Sequence, residues 1–222
     1  MKQILFLSFF CLLAACTQDS YESGDGELSA LTADFAEMNT DGDTLLVSAL
    51  TDDGRVLTLT RRVRVRWAQV PDSTYRAIFY YKRADESGFL AEPYSLQPVP
   101  VANALGAEHF TDGVQQDPVT LESFWLSKNH QWLNVALLLR TGSLTDDQQG
   151  HILGVVRDTL LTAADGRRTL CLTLHHQQNG VPEYYSQHAY FSLSVASLSS
   201  ADSVRLSVAT YQGPVLRTLS LH

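Results

Sequence analysis

Histidines, carboxylates and a dense row of arginines are the side chains of this 222-residue sequence that chemistry would draw on. Among the seven histidines, His175, His176 and His188 stand closest to a metal set. Zinc takes three or four protein ligands. Adjacent residues of a strand point to opposite faces, so His175 and His176 cannot both reach one ion. His188, returning across a hairpin, would raise the count to two. There is no H-E-x-x-H frame. These residues are therefore read as exposed strand histidines, and no metal or other cofactor is expected. Ser, His and Asp are all plentiful, but no G-x-S-x-G elbow presents a nucleophile. Asp41-Gly42-Asp43, Asp52-Asp53 and Asp146-Asp147 lack the spacing of a calcium loop and are read as turn residues. Tyr184-Tyr185 could stack on a sugar or a partner, although such a pair more often covers a sandwich edge. No catalytic residue emerges, and the chain is read as a non-enzyme. The rival reading is a hydrolase whose triad assembles across strands, which a histidine hydrogen-bonded to a Ser or Cys would mark.

Charge is more informative. The net charge is -8, yet residues 55 to 83 carry eight basic side chains (Arg55, Arg61, Arg62, Arg64, Arg66, Arg76, Lys82 and Arg83) against the single acid Asp72. In "RVLTLTRRVRVRW" the odd positions are mostly apolar. The even positions end in Arg62, Arg64 and Arg66, which at period two project from one side of a strand. This face is the candidate site for an anionic ligand. The plainer alternative is a solvated strand whose arginines pair with neighbouring acids such as Asp52 or Asp117.

Cysteine usage fixes the expected compartment. Met1-Lys2-Gln3 is a short basic head, and Ile4 to Leu13 is apolar except for Ser8. Such a run is too short to span a bilayer as a helix and has the form of a secretory signal. It ends Leu13-Ala14-Ala15-Cys16, which resembles the lipobox of bacterial lipoproteins. Residues 1–15 are thus expected to be cleaved, with Cys16 acylated as the new N-terminus. Cys171 would then be the one thiol left, a small apolar side chain buried in a strand rather than a nucleophile. Outer-membrane attachment through the lipid follows. The partner is expected to be an envelope protein, glycan or lipid, and nucleic acid is excluded by compartment.

The elements that must position these residues are strands. Residues 16–30 are polar and acidic and are read as a tether. The run "TLLVSALTDDGRVLTLTRRVRVRW" reads as two strands around Asp53-Gly54, the second long enough to bend as barrel strands do. "TYRAIFYYKR" adds another, and Val99–Leu105 is expected to close this first unit. Polar residues 106–117 read as a linker. The second half gives "HQWLNVALLLR", "HILGVVRDTLLTA", "RRTLCLTLHH", "EYYSQHAYFSLSV", "DSVRLSVAT" and "PVLRTLSL", separated by Asp165-Gly166, Asn179-Gly180 and Pro182. Strands at this spacing without an amphipathic helix argue a sandwich.

With its lipobox, acidic tether, small all-β unit and "LCLTLHHQQNGVPEYYSQHAYFSLSV", the chain resembles the NigD-like lipoproteins of anaerobic Gram-negative bacteria. "HQWLNVALLLR" is similar to that family's earlier core strand, with His130 and Gln131 where an acidic residue is usual. The resemblance implies an all-β fold: an OB-like barrel over 31–105 and an immunoglobulin-like β-sandwich over 118–222. By resemblance alone, through the bacteriocin locus of its founding member, it also points to an immunity-like role, and its motifs say nothing of catalysis.

Overall fold

A computed structural model describes residues 31–145, 149–198 and 200–221. Cys11, Cys16, the tether and Asp146-Asp147 lie outside the described residues.

The first half is a closed five-stranded barrel. Its strands are β1 (Thr32–Thr40), β2 (Leu46–Thr51), β3 (Val56–Val63), β4 (Thr74–Arg83) and β5 (Leu90–Pro98), in the order β1-β2-β3-β5-β4. All neighbours are antiparallel except β3 and β5, which run parallel for two pairs, Thr58 with Leu90 and Leu59 with Ala91. This is the expected OB-like arrangement. The barrel forms because period-two alternation sends one residue set inward. Ala36, Met38, Leu46, Ala49, Leu57, Phe79, Tyr81 and Ala91 fill it, with Phe79 and Tyr81 stacked at 4.7 Å. The Asp53-Gly54 hairpin forms as its residues predict, with Gly54 at a φ of 86° that a side chain would strain.

Eight further strands make a two-sheet sandwich. One sheet is β13-β12-β10-β9-β6 and the other β11-β8-β7. The strands are β6 (Ala104–Leu105), β7 (Thr120–Leu126), β8 (Trp132–Thr141), β9 (Ile152–Thr162), β10 (Arg168–Gln177), β11 (Tyr185–Ser194), β12 (Ser203–Thr210) and β13 (Gly213–Ser220). β8 is the middle strand of its sheet, and Leu133 to Leu137 are buried on both of its faces, as its apolar run predicts. Val204, Leu206 and Val208 of β12 oppose it in the same core. Cys171 lies half-buried on β10, more open than a core residue.

Three expectations are corrected. The strand from Val56 ends at Val63 instead of running to Trp67. β2 begins at Leu46, which pairs with Val63, so the chain beyond has no neighbour to bond. The alternation persists without the strand, because Val63, Val65 and Trp67 still pack on the barrel core. Val99–Leu105 does not close the barrel. That barrel is already sealed by β1 with β4 and β3 with β5, so the segment runs along the sandwich, with Ser192 accepting from Ala102 N–H and β6 pairing β9. Residues 106–117 are bonded into the sandwich as well. A 3-10 turn covers Ala107–His109, and Gln115 and Asp117 exchange backbone bonds with His176.

Candidate functional site

The structure separates the three arginines of the candidate face. Arg62 lies on β3, whereas Arg64 follows its end and Arg66 stands in a turn held by the Gln69 side chain, which donates to the Val65 and Arg66 carbonyls. All three are exposed. Arg62 Nη1 is 3.1 Å from Asp41 Oδ2 and 3.8 Å from Asp43 Oδ2, with 62 % of its side chain open to solvent. Arg64 donates to Thr44 Oγ1 at 3.1 Å and to the Asp43 carbonyl at 3.3 Å. Among the described residues the Arg66 guanidinium has no ion pair or hydrogen bond. The acid that Arg62 meets is thus Asp41, not Asp52 or Asp117. Asp41 is held below the usual carboxylate range, first by the Leu45 amide, then by the Asp43 amide and Arg62, against the opposing effect of burial. An exposed pair of this kind contributes little, so Arg62 is tethered loosely and remains available.

Three of the other basic residues of the segment, Arg55, Arg61 and Arg76, are spent within the fold. Arg55 bridges Asp53 and Asp34, the latter also accepting from Tyr81 Oη at 2.8 Å. Burial and the Asp34 carboxylate push the Tyr81 phenol up to about 12. Arg61 donates to the Pro93 carbonyl. Arg76 of β4 is buried between barrel and sandwich. Its Nη1 and Nη2 each lie 2.7 Å from an Asp52 oxygen, and only the second contact has hydrogen-bond alignment. Nη2 also reaches Asn134 Oδ1 at 3.1 Å, and Nε donates to Ser192 Oγ at 3.3 Å. Phe35 and Trp132 flank the guanidinium at 5.5 and 4.8 Å. Sequence reasoning counted Arg76 with the basic face. Its flanking Tyr75 and Ala77 give no sign that a partner sheet would cover it.

His188 is an exposed strand histidine as expected, but His175 and His176 are not. His175 and His176 are both buried, and His188 is far from them in the chain's pairing, opposite Leu138 on the other sheet. The Asn179-Gly180 turn carries the chain from one sheet to the other rather than closing a hairpin, which is why His188 does not return to β10. His175 Nδ1 accepts from the Gln115 amide at 3.0 Å and its ring packs on Phe110. His176 Nδ1 donates to the Asp117 carbonyl at 2.9 Å, which leaves Nε2 to accept from His151 Nδ1 at 3.0 Å. Burial lowers the affinity of all three rings for a proton. His188 bonds Glu122 at 2.7 Å in the open. Among the described residues no histidine side chain is hydrogen-bonded to a Ser or Cys, and no group of three His, Cys, Asp or Glu could hold a metal ion. Tyr184 and Tyr185 stand at the start of β11, an edge strand of its sheet, and are 82 % and 56 % exposed.

Residues 99–220 match the family model described as the NigD-like C-terminal beta sandwich domain. No curated protein matches the chain. Among solved structures, a NigD-like immunity protein from Bacteroides caccae superposes with a TM-score of 0.66 at 24 % identity, over 84 % of this chain and 91 % of that one. A protein of unknown function from Bacteroides vulgatus gives 0.62 at 20 %, over 86 % and 90 %. A candidate lipoprotein from Bacteroides fragilis gives 0.57 at 10 %, over 85 % and 96 %. At these identities the structures share a fold with this chain.

Proposed function

We propose a role for this chain from the premise that it belongs to the NigD-like family, which the match over residues 99–220 shows. The role is that of a lipoprotein of the cell envelope, anchored to the outer membrane by an acylated Cys16, that binds a partner without turnover. The contact surface is the barrel end bearing Arg62, Arg64 and Arg66, and the partner is anionic: a protein, glycan or lipid of the envelope. The observation carrying this reading is that all three side chains are exposed, one on β3 and two just beyond its end, with Arg66 unpaired among the described residues. A non-catalytic role is supported by where the histidine bonds go, to backbone, Glu122 and another histidine. The family name of the Bacteroides caccae structure makes an immunity-type interaction one form that such binding takes.

The test is the triple variant Arg62→Gln, Arg64→Gln, Arg66→Gln. It is expected to fold with little loss of stability, because exposed charges contribute little each. Binding to an acidic glycan or lipopolysaccharide should weaken, as should binding to anionic vesicles by protein that lacks the lipid anchor. Wild-type affinity should fall with added salt, since exposed charges are screened over ~8 Å at physiological ionic strength. Unchanged binding, or a variant that melts well below wild type without a binding defect, overturns the reading.

A further inference from the structure

The opposite end of the barrel carries a different surface. β1 starts there, at Thr32, whose register partner is Tyr81 of β4. The β4–β5 loop turns at the same end, and the parallel pairing of Thr58 with Leu90 brings the start of β3 beside it. Three large apolar side chains gather on this rim. Val56 is 60 % exposed, Phe89 60 % and Leu90 39 %. The backbone fixes them there: Thr58 N–H donates to the Phe89 carbonyl at 2.8 Å, and Asp85 clamps the loop by accepting from the Leu90 amide at 2.9 Å. The loop is therefore a built turn with an apolar crest. Single exposed apolar residues are ordinary on a protein surface, but a held cluster at one tip is not.

Position says what covers it. The chain passes into β1 at this rim from Cys16. The fifteen residues from Thr17 to Leu31 span at most about 50 Å at full extension, so an acylated Cys16 keeps the rim within that reach of the lipid. Charge says how it is covered. Lys82 and Arg83 stand on the rim without an ion pair among the described residues, but Glu92 is the register partner of Lys82 and Asp85 and Glu86 follow in the loop, so no net positive charge favours an anionic surface. Aromatic and aliphatic side chains settle at a bilayer interface by burying apolar area, which needs no anionic lipid.

We propose that the rim formed by Val56, Phe89 and Leu90 rests on the lipid bilayer, seating the barrel end-on at the membrane. This rests on the acylation of Cys16 proposed above, and the two are separable by experiment. Full-length protein carrying Cys171→Ser is spin-labelled at Phe89→Cys or, as a control at the other barrel end, at Asp43→Cys. Each is reconstituted into phosphatidylcholine vesicles, and into vesicles with one quarter phosphatidylglycerol. The label at 89 is expected to collide more with dissolved oxygen and several-fold less with a water-soluble nickel chelate than the label at 43, equally in both vesicle types. Protein that fails to float with vesicles overturns the anchor and the seating together. Protein that floats while both labels stay equally open to the chelate overturns the seating alone. Protection at 89 confined to anionic vesicles overturns the apolar contact in favour of one made by Lys82 and Arg83.

Discussion

Replacing Arg76 by methionine tests whether barrel and sandwich are held by the buried ion pair between them. The Arg76 side chain is 1 % exposed and that of Asp52 is 15 % exposed. Removing one partner of a buried pair costs ~3–5 kcal/mol, because the other charge is left without compensation. Here the lower end applies to Arg76→Met. Asp52 keeps Asn134 Nδ2 as a donor at 2.7 Å and retains some contact with solvent, and methionine fills part of the space between Phe35 and Trp132. The expected loss is about 3 kcal/mol. At ~2–4 °C per kcal/mol for a unit of this size, Tm should fall by roughly 6–12 °C.

The reciprocal change should be worse. Asp52→Ala strands a guanidinium with almost no access to water and only Asn134 and Ser192 to accept from it. A loss of about 4–5 kcal/mol is expected there. The double variant Arg76→Met, Asp52→Ala removes both charges and should be more stable than the sum of the singles. Urea unfolding followed by circular dichroism measures all three. A loss below about 1 kcal/mol in Arg76→Met, or strict additivity in the double variant, would show that the pair is screened and that apolar contacts such as Phe35 on Trp125 join the two halves instead.

Two further outcomes are expected. Cys16→Ser should release the protein from membranes into the soluble fraction, and persistence in membranes after a carbonate wash would refute acylation at this residue. Acidification should destabilise the fold in the window below pH ~6.5. Burial lowers His151, His175 and His176, so the unfolded chain takes up protons first and stability falls as pH drops from the unfolded value through the folded ones. Glu183 near His151 and Asp117 near His175 and His176 oppose this only in part. Each histidine adds at most about 1.4 kcal/mol per pH unit. Asp41, Asp53, Asp85, Asp165 and Glu183 are lowered too, but their stabilisation is lost only below their unfolded values near 4. A Tm that is level between pH 7 and 5 would refute the histidine assignment.

The strands were legible because alternation and turn dipeptides are local signals. Asp53-Gly54 and Asp165-Gly166 each close a hairpin where their residues predict. What local signals cannot carry is which sheet a strand joins. Asn179 and Gly180 both take the positive φ of a hairpin turn, 55° and 66°, yet they connect two sheets. For the same reason Arg76 and Arg62 look alike in sequence, each on a strand and each next to an apolar residue. One is covered by Trp132 and Ser192, more than fifty residues away, and the other by nothing. His175 and His176 were misread because a pair ending a strand looks exposed until residues 110–117 are laid across it.

The two barrel ends constrain each other. β1 runs the length of the barrel from Thr32 to Thr40, nine residues, or about 27 Å at the usual rise of a strand. Asp41, the partner of Arg62, follows directly at the far end. Barrel strands tilt by ~35–45°, so if the rim of Val56, Phe89 and Leu90 sits on the lipid the three arginines stand about 20 Å above it, well beyond the ~8 Å over which charges act at physiological ionic strength. The headgroups of the anchoring leaflet then cannot be their ligand. A rim seated on lipid therefore selects, among anionic partners, a glycan or protein that approaches from outside the leaflet. The arginine variant and the spin label at residue 89 answer one question jointly: loss of vesicle binding in the variant, with residue 89 buried in lipid, is a combination that this geometry forbids.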